Sequence, residues 1–227
     1  MVEQSLQRAA RLIGVATLLS ILVVVSVEFG IKNRLVVSGD AATTARNIRT
    51  NETLFRINIV GDVLYCAGVI IVACGLFVVL KTFSETLALI ATIFRLVFAA
   101  TWLLATYNAA TALRFLGDAA YLKSIDPSQL QALARFNLSG YDAYYIGLVF
   151  WSVASAICGV LWLKSRYIPA WLAIAGVLGS IWCAACTFGL LVYPDLPNYV
   201  NLWWFDAPMT LFELALAFLL VFKGLRT

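Results

Sequence analysis

Histidine is absent from the 227 residues, and charge is scarce, with Asp, Glu, Lys and Arg together making up 12%. A soluble domain carries about twice that charged share. Without histidine, haem ligation, the usual zinc hydrolase sites and a histidine general base are all disfavoured, and neither a metal nor a cofactor is expected. Dense basic runs are missing too. The 16 basic residues exceed the 12 acidic ones by a net +4 but are spread among loops, so no nucleic-acid partner is expected. No lysine falls in the middle of an apolar run, which disfavours a retinal protein. After Arg8, Arg11 and the apolar run 12–27, no small-x-small cleavage site follows; Val27, Glu28 and Phe29 do, so the first apolar segment reads as an uncleaved span.

What fills the chain instead is apolar. Hydrophobic residues make up 63% and the mean hydropathy is +0.92. A bilayer core takes about 20 apolar residues in a helix. On that ruler, spans fall roughly at 12–31, 57–80, 87–113, 141–163, 168–192 and 207–222. The expected architecture is all-α: a single integral membrane domain over 1–227, a polytopic bundle of six spans. Long odd-numbered connections alternate with short even ones, as three antiparallel helix pairs require. Basic density places Arg8, Arg11, Lys81, Lys164, Arg166, Lys223 and Arg226 on one side, so both termini are expected in the cytoplasm, the protein lying in the cell (inner) membrane.

The long outer loops carry helix signals. Asp126-Pro127 is a cap and first-turn pair, with Leu130, Leu133 and Phe136 at helical spacing behind it, which predicts a short amphipathic helix lying on the membrane surface. Asp40 predicts a second such helix over 41–48, and Asn51-Glu52 the start of span two. Trp203, Trp204, Tyr193, Tyr199, Tyr141, Tyr144 and Tyr145 sit where interfacial aromatic belts belong. All five cysteines (Cys66, Cys74, Cys158, Cys183, Cys186) fall in apolar runs. The C-x-x-C of Cys183 and Cys186 therefore reads as small buried residues rather than a redox or metal pair.

The chemistry-bearing residues are the charges inside the spans. Arg95 lies about eight residues into span three, ~12–14 Å deep. A guanidinium there costs roughly 2.5–3.5 kcal/mol unless it is paired or wet. Counted from the outer side, Glu28, Asp62 and Glu213 lie ~5–9 Å deep on three other helices. Together they suggest an outward polar cavity with Arg95 as anchor. Arg56, Asn58 and Asn108 are further ligand-binding candidates, and Asp142 and Asp206 line its mouth. The plainer alternative is a buried Arg95–Asp62 pair that only fixes helix register, with Glu28 and Glu213 snorkelling to the interface. Spans four and five carry small residues instead (Ser152, Ser155, Ala156, Gly159; Ala175, Gly176, Gly179, Ser180), as close helix packing requires.

Three segments resemble a known family. They are 38–48, leading through Asn51-Glu52-Thr53-Leu54-Phe55-Arg56; then Phe94-Arg95-Leu96-Val97; then Ser165-Arg166-Tyr167-Ile168-Pro169. The pattern resembles a prokaryotic family of six-span membrane proteins known as domain of unknown function 4386. The resemblance implies that Asp40, Asn47, Arg56 and Arg95 belong to a shared pattern and that the spans number six; it implies no activity. The family pattern has an acid shortly after Phe-Arg-Leu-Val where this chain has Phe98, so Arg95 needs a partner from another helix, with Asp62 favoured.

Three functions compete at this level. One is a membrane protein binding a lipid-like or small anionic ligand through Arg95, Arg56 and Arg34, with membrane lipids as its other partners. Small size argues against a classical transporter, an objection a homodimer would answer in part. Another is a small membrane enzyme on an isoprenoid-like substrate, with Asp62, Glu213 and Glu28 as candidate acids and Trp102, Tyr107, Phe115 and Trp151 stabilising cations. The last is a structural or accessory subunit.

Overall fold

A computed structural model describes residues 2–139, 141–193, 195–201 and 203–226. Among the described residues there are helices and no strand. Six long helices dominate: α1 (Val2–Val27), α4 (Glu52–Leu80), α5 (Glu85–Phe115), α7 (Tyr141–Ser165), α8 (Ala170–Val192) and α9 (Trp203–Phe222). α1 continues through a π-turn (Glu28–Lys32) into the short α2 (Asn33–Leu35), and α3 (Ala41–Thr50) and α6 (Pro127–Leu138) sit in the two long loops. Six of the helical segments are long and apolar enough to cross a membrane.

The long helices form a closed ring. α1 packs on α4, α4 on α5, α5 on α7, α7 on α8, α8 on α9, and α9 returns to α1. Its outside is apolar, with Leu22 62%, Leu178 61% and Leu211 65% exposed, while Asn58, Asp62, Arg95, Ser152, Ser155 and Ser180 are buried. In water that distribution would be inverted; against lipid tails it is the stable one.

A glycine seam sets the α1–α4 register. Gly61, Gly68 and Gly75 recur every seven residues, just under two helical turns, and so stay on one side of α4. A Cβ at each would run into Val27, Ser20 and Ile13 of α1, which recur at the same spacing in the opposite direction. Small residues of this kind let two antiparallel backbones approach closely where no hydrophobic driving force from water is available.

At the end opposite the termini, α4 and α5 outrun a bilayer core: 31 residues of α5 span ~46 Å against ~30 Å of hydrocarbon. The loop helices cover these projecting ends. Leu35, Ala45, Ile48, Phe55, Ala112, Leu116, Ala134 and Leu138 form a small core of their own there. Asp40 caps α3 by accepting from the Thr43 amide at 2.8 Å, a bond that holds its carboxyl below the usual carboxylate range. Asp126 caps α6 through the Ser128 amide. α6 has two apolar faces. Leu130, Ala134 and Leu138 turn inward against α5 and α3, while Leu133 and Phe136 stand exposed at 41% and 76%.

At the other end the chain termini are tied together. The Gln7 side chain donates to the Leu225 carbonyl and accepts from the Leu225 amide, both at 2.9 Å, and the Arg226 amide donates to the Tyr167 carbonyl. Gly224 makes this possible: its φ of +70° suits glycine, and any Cβ would collide with Gln7.

Pro208 lies inside α9 and lacks the N–H that would bond the Trp204 carbonyl. The Trp182 indole of α8 donates to that carbonyl at 2.7 Å and replaces the missing bond.

Candidate functional site

Arg95 is buried near the middle of the bundle. Its partner is Glu213 of α9, with Nη2 to Oε1 at 2.7 Å and side-chain exposures of 6% and 12%. Two residues of α7, one turn apart, complete the arrangement. Ser155 accepts from Arg95 Nη2 at 3.0 Å and donates to Glu213 Oε1 at 3.1 Å; the Trp151 indole donates to the same oxygen at 3.1 Å. One carboxylate oxygen thus takes three donors from two helices. Arg95 Nε, equally buried, has no hydrogen-bond partner among the described residues.

Asp62, favoured from sequence as the Arg95 partner, is held elsewhere. It accepts from Asn58 Nδ2 at 3.1 Å and from the Trp102 indole at 3.3 Å. Trp102 stands seven residues beyond Arg95 on α5, about 10 Å along the helix. The carboxylates therefore occupy separate levels instead of one. Glu213 is also deeper than expected. α9 begins at Trp203, so Glu213 lies ten residues in (213 − 203 = 10), ~15 Å from that end and mid-helix.

A third acid, Asp206, accepts from the Tyr144 hydroxyl at 3.0 Å. Asp62, Glu213 and Asp206 are therefore each met by an aromatic donor from another helix. The rings themselves are in contact: Tyr65 lies 4.6 Å from Trp102, Trp102 5.5 Å from Tyr144, and Phe98 stacks at 4.9 Å on Trp151. This aromatic column joins the Asp62 level to the Arg95–Glu213 level. Asp62 and Asp206 are bonded by neutral donors, in contrast to Glu213.

The remaining candidates are not brought to Arg95. Glu28 opens the π-turn and pairs with Lys32 at 2.8 Å. Arg56 is exposed and pairs with Glu52 at 2.7 Å, and Arg34 is exposed. Asn108 is half-buried on α5. The side chains of Asp142 and Trp203 lie outside the described residues. A surface depression lined by Arg49, Asn51, Glu52, Leu54 and Ile57 lies at the α3–α4 corner, away from Arg95. All five cysteines are free, and among the described residues no group of three His, Cys, Asp or Glu is placed to hold a metal.

Sequence reasoning missed Trp151 and Ser155 as partners of the ion pair, reading the first as an aromatic face and the second as a packing residue. Their spacing of four in an otherwise uncharged span was the available signal.

An apolar-surfaced ring of six helices enclosing a buried ion pair defines a multi-pass membrane protein. The chain belongs to the family described as Domain of unknown function (DUF4386), which matches residues 12–224. No curated protein and no solved structure matches it.

Proposed function

We propose that this protein binds a lipid-like or small anionic molecule within the cell (inner) membrane, its termini in the cytoplasm, with Arg95 as the anchoring residue. The observation that supports this is the Arg95 Nε–H. A guanidinium carries five N–H donors; its bonds to Ser155 and Glu213 both leave from Nη2, and among the described residues Nε is buried without a partner. A phosphate or carboxylate oxygen would take that donor while Glu213 keeps Nη2. The cytoplasmic orientation rests on the dense basic residues at the termini end.

A second reading has an observation of its own. Ser155 and Trp151 close the Glu213 oxygen so fully that the pair would serve as a register lock with no ligand. Removing one partner of a buried pair is strongly destabilising, while replacing both by apolar residues is often neutral. Arg95→Met should therefore lower stability by ~3–5 kcal/mol, and Arg95→Met/Glu213→Met should recover most of it. Arg166→Ala at the termini end should change little. Native mass spectrometry of the protein purified in mild detergent separates the readings. Wild type is expected to carry an amphiphile bearing phosphate or carboxylate, and the folded double variant to lose it. Retention by the double variant, or a wild type that carries none, would overturn the binding reading.

A further inference from the structure

We propose that Asp62 and Asn58 form a site for a small alkali cation of about sodium's size on the inward face of α4. The two residues stand one helical turn apart and are 4% and 1% exposed. The Asn58 amide nitrogen donates to Asp62 Oδ2 at 3.1 Å, which sets a partial positive charge against the carboxylate. That orientation leaves Asn58 Oδ1 buried with no hydrogen-bond partner among the described residues. A half-rotation of the amide, with no backbone movement, turns Oδ1 towards Asp62 Oδ2, so that two oxygens bracket one cation in place of the N–H.

The Trp102 indole holds the other carboxylate oxygen at 3.3 Å and so keeps Oδ2 facing Asn58. Carboxylate and amide oxygens are hard ligands suited to hard cations. A single carboxylate charge matches a monovalent ion rather than a divalent one. The π-turn that carries Glu28 and Lys32 also packs on α4, and those two charges are paired with each other at 2.8 Å. An ionisable residue inside a membrane span is rare and marks a candidate functional site. The site stands apart from Arg95 and does not depend on a ligand there.

Thermal unfolding of the detergent-purified protein, followed by tryptophan fluorescence, tests the assignment in NaCl, KCl, methylammonium chloride and choline chloride at equal ionic strength. The expected result is a rise in midpoint with NaCl that saturates with concentration and is absent in choline chloride. Asp62→Asn should abolish the rise, and Asn58→Leu should shift half-saturation by about tenfold, as loss of one oxygen ligand implies. An equal rise in choline, a response to methylammonium alone, or an unchanged rise in Asp62→Asn would overturn the site. Should Asp62→Asn not fold, radioactive sodium bound to wild type and displaced by unlabelled NaCl but not by choline chloride sustains the assignment. Lack of displaceable sodium refutes it.

Discussion

Pro208 takes one hydrogen-bond donor away from α9, and Trp182 supplies one from α8. In a bilayer an unsatisfied carbonyl has no water to turn to, so the exchange is specific rather than incidental. Trp182→Phe should destabilise the bundle by roughly 1–3 kcal/mol, the range for a stranded polar group. In a Pro208→Ala background the same change should be nearly silent, because an alanine at that position restores the N–H within the helix. Chemical denaturation of the four proteins of this cycle checks it. The apolar-length ruler began span six at 207, which put Glu213 only about six residues inside it. Nothing local to α9 announces that an indole from the preceding helix lets it begin at Trp203. Arg95, by contrast, was legible as a buried charge needing a partner, because the cost of an unpaired guanidinium in lipid depends only on depth.

Among the elements, α1 and α4 are the pair most tightly specified by their own residues. Gly68 faces Ser20 so closely that one methyl group is too many. Gly68→Ala should cost about 1–3 kcal/mol by overpacking. Adding Ser20→Gly should return part of it, read as a partial recovery of the thermal midpoint in detergent. The seven-residue repeat of Gly61, Gly68 and Gly75 was visible in the sequence, but it identifies an interface only once a partner helix with matching spacing is known. The π-turn at Glu28–Lys32 left no comparable trace, since its extra residue changes hydrogen bonding without changing composition. On α6 the cap and the apolar Leu130, Leu133 and Phe136 were legible, and the packing of Leu130, Ala134 and Leu138 on protein was not. Leu133 and Phe136 are as apolar as the residues that pack, and tertiary contact with α5 and α3 decided which side turned inward.

For the molecule as a whole, span count and helix class followed from apolar length, which is a one-dimensional property. The ring did not, because α9 against α1 is a contact between the most distant helices of the sequence. The Gln7–Leu225 pairing secures that closure through two bonds to one backbone unit. Gln7→Ala should speed hydrogen exchange at the Leu225 amide by about tenfold or more, on the scale of one lost hydrogen bond. Mass-spectrometric exchange on the detergent-solubilised protein measures it, and amides at the middle of α7 should be unaffected.

Ring closure has a consequence for biosynthesis. Arg95 on α5 is made 118 residues before Glu213 on α9. At about 5–20 residues per second the cation waits roughly 6–24 s for its carboxylate. The nascent chain must therefore tolerate a solitary cation until its last helix arrives.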